Sequence, residues 1–257
     1  MRITSYNILD GGEGRADPIA EILLAQRADI VCLVEADNAA VRQRIASRLK
    51  MDMIVGSAGR DSVALLSRLP IVETIDHAAA QPEFTGSLLE AIVVDERDVE
   101  WPVGVVHLSA KATEERERKR EAEIAVVIDA FARHRQANRP HFLAGDFNAN
   151  SPTQIIDPAP CKPATREAWE SNGRQIPRRV IQRLLDAGYT DTLRAVHGAA
   201  ADEMVSFTTH WPGQRLDYIF AYAVGATDAW IERDRLATYA SDHYPVGCVL
   251  LPAENQA

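Results

Sequence analysis

Along the chain, short apolar runs end abruptly in one polar residue, and turn chemistry follows. Ile3 to Ile8 carries Asn7, and Asp29-Ile30-Val31-Cys32-Leu33-Val34 stops at Glu35. Val103 to Val106 stops at His107, and His141 to Gly145 stops at Asp146, with Asn148 two residues on. Leu216 to Phe220 carries Asp217, and Asp242-His243 leads into the run Tyr244 to Leu251. Continuous β-branched and aliphatic runs of this length predict strands buried on both faces. A carboxylate at the rim of a buried sheet has to be paired, hydrogen-bonded or metal-bound. The recurring polar stops therefore single out one set of residues at strand ends.

Helical spacing fills the gaps. Asp17-Pro18 reads as an N-cap followed by proline at the first helical position, with Ile19, Ile22 and Leu23 on one face. A second amphipathic segment runs from Asn38 to Leu49. Thr113 to Arg135 is the clearest helix, because Ile124, Val127, Ile128 and Phe131 keep the i, i+3, i+4, i+7 spacing. Val180, Ile181, Leu184 and Leu185 mark a shorter one that Gly188 can stop. Between Ser62 and Val106 the strands Val63–Ser67, Ile71–Ile75, Leu88–Val94 and Trp101–Val106 follow one another by short links, as in a meander. Strands and helices in local blocks predict an α+β fold with a sheet-on-sheet core. Residues 150–179, rich in proline and polar side chains, read as a long surface excursion, and such a loop is often functional. Sheet-like runs resume after it, so one domain is expected over 1–257.

Composition narrows the class. At 257 residues, 46% hydrophobic and 25% charged, the chain has the make-up of a soluble globular domain. A net charge of −9 disfavours a general nucleic-acid sponge, although a local basic groove is compatible with it. Three cysteines, Cys32, Cys161 and Cys248, are too few and odd in number for a secreted disulfide scaffold. Cys32 and Cys248 sit inside apolar runs and read as buried free thiols. No apolar run approaches the ~20 residues of a membrane helix. The first residues lack the apolar stretch of a signal peptide. The expectation is a cytoplasmic monomer without stable membrane association.

The strand-end set is Asn7, Glu35, His107, Asp146, Asn148, Asp217, Asp242 and His243. The sequence has neither CxxC nor HExxH, which leaves zinc with weak support. Hard oxygen donors suit Mg²⁺ or Mn²⁺, and phosphate esters are the matching substrates. A cation would offset charge on the phosphoryl oxygens while a carboxylate positions or deprotonates water. Asp217 could accept from the His243 ring and hold it as an imidazolium, and His107 could act likewise from another strand.

Seven segments in order carry a family resemblance: Ser5-Tyr6-Asn7-Ile8, Leu33-Val34-Glu35, Val63 to Arg68, Val106-His107-Leu108, Gly145-Asp146-Phe147-Asn148, Leu216-Asp217-Tyr218-Ile219 and Ser241-Asp242-His243-Tyr244-Pro245. Together they resemble the endonuclease/exonuclease/phosphatase, or DNase-I-like, superfamily. The resemblance implies a four-layer α/β/β/α sandwich of two packed, mixed sheets, with the site at one end of both. It implies Glu35 as principal Mg²⁺ ligand with Asn7 beside it, and Asp242 as a second acidic residue on the metal side. Asp146 would orient or deprotonate the attacking water, helped by Asn148. His243 would contact the phosphate, held by Asp217. His107 stands where DNase-like, sphingomyelinase-like and phosphatase-like members carry histidine; exonuclease-III-like repair enzymes usually carry tyrosine there. That difference disfavours abasic-site repair.

The implied activity is a metal-dependent hydrolase of phosphate esters. Nucleic acid, a lipid or sugar phosphodiester, and a small phosphomonoester stay open as substrates. A catalytically inactive binding module is the alternative from another class. Arg60, just ahead of a strand, reaches the scissile phosphate or is an ordinary loop arginine. Trp211, in loop-like sequence, is the best aromatic candidate for walling a pocket; Tyr6, Phe147, Tyr218, Tyr239 and Tyr244 read mainly as packing. The basic run Arg116 to Arg120 reads as a solvated helix face, with Glu114–Arg118 and Glu115–Lys119 at pairing distance, and Arg178, Arg179 and Arg183 as a second exposed cluster. The remaining histidines, His77, His134, His141, His197 and His210, receive no role.

Overall fold

In the computed structural model the chain begins with β1 (Arg2–Asn7), α1 (Ala16–Gln26), β2 (Ile30–Val34), α2 (Ala39–Leu49), β3 (Asp52–Gly56) and β4 (Val63–Ser67). Next come β5 (Ile71–Asp76), α3 (His77–Ala80), β6 (Ser87–Val94), β7 (Glu100–His107), α4 (Glu114–Ala130), α5 (Ala132–Gln136) and β8 (His141–Asp146). The last third adds α6 (Pro163–Ser171), α7 (Arg179–Asp186), β9 (Thr190–Asp191), α8 (Thr192–His197), β10 (Asp217–Tyr222), β11 (Ala226–Ile231), α9 (Arg235–Ala240) and β12 (Val246–Leu250). The structure describes residues 1–81 and 84–251; residues 82–83 and 252–257, which the expected single domain includes, lie outside the described residues.

The strands form two six-stranded sheets, ordered β11-β12-β1-β2-β4-β3 and β5-β6-β7-β8-β10-β9. Period-two alternation sorts their side chains into layers. From β2, Ile30, Cys32 and Val34 face the other sheet, where they meet Val103 and Val105 of β7 and Phe142 and Ala144 of β8. The intervening Val31 and Leu33 pack against Ile19, Leu23 and Ile45 of α1 and α2. On the far side, Val106, Leu143 and Phe220 pack on Ile124, Val127 and Val180 of α4 and α7. The expected four-layer α/β/β/α sandwich is what forms. Among the described residues no helix is long and apolar enough to cross a membrane.

Each sheet holds one parallel pair, β1–β2 and β7–β8. Parallel neighbours end on the same side, so their terminal residues are brought together. Asn7 lies opposite Val34, one residue before Glu35, and His107 lies opposite Asp146. Antiparallel β10 places its first residue, Asp217, opposite Asp146. The segment before β12 closes over the same end, where the Ser241 hydroxyl donates to the Asn7 carbonyl at 2.7 Å.

Several local expectations are corrected. Helix α1 starts with Arg15 at its N-cap position, and Asp17 lies in the first turn. There Asp17 takes Arg44 and Arg48 of α2 at 3.0 and 3.1 Å, so its carboxylate ties two helices together instead of capping one. The Thr113–Arg135 helix is two helices, because Phe131 leaves helical geometry (φ −91°, ψ 6°). Phe131 is buried against Gly104, where a Cβ would stand 2.9 Å from its ring. The Ser62–Val106 block is split: β5-β6-β7 is a meander, but β4 pairs with β2 and β3 in the other sheet. Residues 150–179 are not a surface excursion throughout, since they contain α6 and bury Asn150, Gln154, Cys161, Thr165 and Ala168. An amide chain explains this: Gln214 donates to Asn150 (2.9 Å), Asn150 to Gln154 (2.8 Å) and Thr165 to Gln214 (2.9 Å). The basic face of α4 is only partly solvated. Glu117 and Arg120 form a buried pair at 2.9 Å, Glu114–Arg118 forms at 3.3 Å, and Glu115–Lys119 is absent from the ion pairs of the described residues. All three cysteines are buried and free, Cys161 included.

Candidate active site

The strand-end residues meet. Asn7 donates its amide to Glu35 Oε1 at 3.0 Å and to Asp146 Oδ2 at 3.1 Å, joining one sheet to the other. Its own oxygen receives the Leu9 N–H at 3.0 Å. Glu35 has left-handed backbone (φ 55°), which turns the chain sharply after β2, and its second oxygen accepts the Asp10 N–H at 2.9 Å. Asp146 Oδ1 accepts the Asn148 N–H at 2.8 Å, while the Asn148 amide donates to the Leu108 carbonyl at 2.9 Å. Asn148 therefore fixes the turn after β8 as well as facing the cleft.

His243 is clamped. Its Nδ1 lies 2.8 Å from Asp217 Oδ2, which also accepts the Ser206 hydroxyl at 2.7 Å. Nε2 then faces Asp146 Oδ2 at 3.7 Å and Asp242 Oδ1 at 3.9 Å. Burial alone would strip the ring of its proton, but Asp217, Asp146 and Asp242 outweigh it and hold the imidazole protonated well above its ordinary range. Burial pushes the Asp146 carboxyl up, with Asp217 adding to the rise and the two imidazoles only partly offsetting it. For Glu35 burial also raises the carboxyl, yet the Asn7 amide, the Asp10 N–H, His107 and His243 prevail and leave it below its ordinary range.

His107 sits on the other flank, Nε2 at 3.9 Å from Asp146 Oδ2 and 4.0 Å from Glu35 Oε1. Its Nδ1 faces Asp61 Oδ2 at 3.4 Å. Asp61 was not anticipated from the sequence. It ends no apolar run, and its only signal is a place beside Arg60 ahead of β4. Ser206 and Ser241 were also missed; Ser241 at least stands inside the Ser-Asp-His element.

Several of these groups line one cleft of about 710 Å³, while Asn7 and Asp217 are buried and hold the lining side chains. Glu35, Asp146, Asp242, His107, His243 and Asn148 face it, and so does Arg60, whose guanidinium pairs with Asp61 at 3.5 Å. Trp211 is not among the lining residues and is 51% exposed; Tyr239 is exposed elsewhere, and Tyr6, Phe147, Tyr218 and Tyr244 are buried packing. The cleft wall also includes Lys111, Lys162 and part of α6.

The donor set fits a hard cation. Among the described residues, Asp242 Oδ1 and Asp217 Oδ1 are buried with no hydrogen-bond partner. Asp146, Asp217 and His243 each bring a ligand atom within 4.8 Å of the other two. A protonated imidazole cannot ligate a metal, so the oxygens of Glu35, Asp146 and Asp242 are the better-suited donors of this end. Asn7 presents its amide nitrogen here and acts as a bridge between two of them.

The sequence model of the Endonuclease/Exonuclease/phosphatase family matches residues 4–243. No curated protein matches the sequence. Solved structures do. An AP endonuclease from Archaeoglobus fulgidus superposes with a TM-score of 0.73 at 18% identity, covering 97% of this chain and 98% of that one. An endonuclease/exonuclease/phosphatase from Beutenbergia cavernae gives 0.71 at 20%, covering 97% and 71%. The human Nocturnin catalytic domain with bound sulfate gives 0.69 at 20%, covering 98% and 94%.

Proposed function

This chain belongs to the endonuclease/exonuclease/phosphatase family, and on that premise we propose that it is a divalent-metal-dependent hydrolase cleaving a phosphate ester by in-line attack of water. The observation that carries the proposal is the convergence of Glu35, Asp146, Asp242, His107 and His243, from both sheets, on one cleft. Glu35 and Asp242 would hold Mg²⁺ or Mn²⁺, and Asp146 lines the same cleft. The cation would supply charge compensation at the phosphoryl oxygens. Asp146, buried and raised toward neutrality, is suited to orient water and take its proton. Asn148 fixes that carboxylate through its N–H. His243, kept cationic by Asp217, would stabilise the charge that grows on the phosphoryl group. His107, backed by Asp61, would do so from the opposite side.

No covalent enzyme intermediate is implied. A compact phosphoester is favoured over duplex nucleic acid, because the basic cluster around α7 is already engaged: Arg179 and Arg183 pair with Glu114 and Glu121 at 2.7 to 2.9 Å. Arg178 donates to the carbonyls of Ser151 and Gln154 at 2.6 and 2.7 Å. A cytoplasmic monomer remains part of the proposal, on charge and cysteine content alone. The test is hydrolysis of bis-p-nitrophenyl phosphate with Mg²⁺ or Mn²⁺, with and without EDTA. Turnover that EDTA abolishes is expected. Folded protein that is inert with every divalent cation would replace the enzyme by a binding module.

A further inference from the structure

We propose that the outer wall of the cleft, carrying Lys111 and Lys162, is a second anion subsite, so that the substrate bears a further phosphoryl group beside the scissile one. The inference rests on the phosphoesterase reading above and deepens it.

The cleft has two unlike sides. Its inner end gathers Glu35, Asp146 and Asp242 with the imidazoles of His107 and His243. Its outer wall is the loop 110–113 and helix α6. That wall is built rigidly. Arg120, 1% exposed and paired with buried Glu117, donates to the carbonyls of Ser109 (2.8 Å) and Lys111 (2.6 Å). These bonds hold Lys111 in a left-handed conformation (φ 85°), which a lysine adopts only when its surroundings impose it. Asn172, just past α6, donates to the Ala112 carbonyl at 2.9 Å and ties helix to loop. Lys162, at the N-terminal end of α6, places its ammonium 4.2 Å from the centre of the Phe207 ring. Phe207 in turn lies 4.6 Å from the His243 ring. A cation over an aromatic face is positioned without being neutralised.

Charge then decides what the wall can take. The wall carries one carboxylate, Glu167 of α6, against two lysines, and among the described residues neither Lys111 nor Lys162 forms an ion pair, whereas Arg60 in the same cleft is matched by Asp61. The scissile phosphoryl group is served at the inner end, by the imidazoles and the acids. The Lys162 ammonium over Phe207, and Lys111 on the same wall, address a second anion beside the scissile one. A sugar bisphosphate and a phosphorylated strand end share that chemistry.

The experiment uses two esters that differ only there: p-nitrophenyl thymidine 5′-phosphate, with and without a 3′-phosphate, in Mn²⁺. Hydrolysis adds water at phosphorus and releases p-nitrophenolate in both. The expected result is at least a tenfold higher kcat/KM for the 3′-phosphorylated ester. The ratio should fall toward one in Lys111→Ala/Lys162→Ala and persist in Lys111→Arg/Lys162→Arg. If the double alanine variant does not fold, Lys111→Gln alone carries the comparison and should lower the ratio. A ratio near one in the unaltered protein, or a ratio unchanged by removing the lysines, overturns the subsite. Should neither ester turn over, the phosphoesterase reading fails, and the subsite is judged by metal-free thermal shift. Thymidine 3′,5′-bisphosphate should then stabilise the protein more than thymidine 5′-phosphate does, and an equal shift overturns the subsite. A p-nitrophenyl oligothymidylate with the same terminal 3′-phosphate separates the sources. Turnover matching the mononucleotide's points to a strand end, and lower turnover points to a small bisphosphate; both keep the subsite.

Discussion

At His243 three carboxylates surround one buried ring, and the balance of charge there sets what the residue can do. Asp217 takes Nδ1 at 2.8 Å, so the proton on that nitrogen is locked and Nε2 is left to face Asp146 and the cleft. Replacing His243 by alanine removes the cation and leaves Asp146 and Asp217 repelling each other. Turnover should fall by at least ~10²-fold, as loss of a charge-stabilising group in a dry site does. Asp146→Asn keeps the shape but cannot take a proton, and a similar ~10²-fold loss is expected. Steady-state rates on bis-p-nitrophenyl phosphate check both; a near-normal rate in either variant removes that residue from the chemistry. These two residues were legible in the sequence because Asp146 ends an apolar run and His243 leads into one, at points where burial forbids an idle charge. Asp61 was not. Nothing local marks it, and it reaches His107 only because β4 and β7 lie in facing sheets, which no spacing along the chain reveals.

The element scale follows the same logic. Strands buried on both faces, such as β2, β4 and β8, were legible because their interior positions had to be apolar. The edge strands β3 and β11 were not, since one side meets solvent and their residues alternate weakly. Strand β8 is held to β7 at a glycine: a Cβ on Gly145 would stand 1.9 Å from the Val106 carbonyl oxygen. Gly145→Ala should therefore cost about 3 kcal/mol or more, by forcing apart the pair that carries His107 and Asp146. Urea unfolding reads the loss, and a change under ~1 kcal/mol would refute the close approach.

Strand β6 buries a charge that no local pattern marks. Glu90, 1% exposed, takes His77 (2.7 Å), His134 (2.8 Å) and Arg133 (2.7 Å), which finds a purpose for two histidines otherwise without one. Burial would raise this carboxyl, but the three hydrogen bonds outweigh it and hold it far below its ordinary range. The folded chain therefore binds fewer protons here than the unfolded one. The stabilisation is complete above the unfolded carboxyl pKa of about 4.3 and fades as pH falls below it. Glu90→Gln should lose about 3 kcal/mol at neutral pH, the cost of breaking a buried pair from one side, and should show a flatter stability profile between pH 5 and pH 2. Parallel profiles for the two proteins would exclude Glu90 as the titrating group.

For the molecule as a whole, the site is where two sheets are held together by something other than apolar packing. Glu35 follows β2 in one sheet, Asp146 ends β8 in the other, and the Asn7 amide bridges them. Glu35, Asp146 and Asp242 line one cleft only when the two sheets are packed, so a cation that binds there binds the folded chain and not the unfolded one. At a concentration of 100 times its Kd, such a cation should add about 2.7 kcal/mol to stability. In a domain of this size each kcal/mol moves the melting temperature by roughly 2–4 °C, which predicts a rise of about 5–10 °C. Saturating Mn²⁺ or Mg²⁺ should produce it, EDTA should reverse it, and Glu35→Gln should lose most of it while lowering the metal-free melting temperature, because the Asn7 amide, the Asp10 N–H and the imidazoles favour the ionised carboxylate in the folded chain. Thermal unfolding followed by circular dichroism measures all three. A melting temperature indifferent to divalent cations in the unaltered protein would mean that the acids at the strand ends serve only one another and the imidazoles, and the hydrolytic proposal would lose its metal.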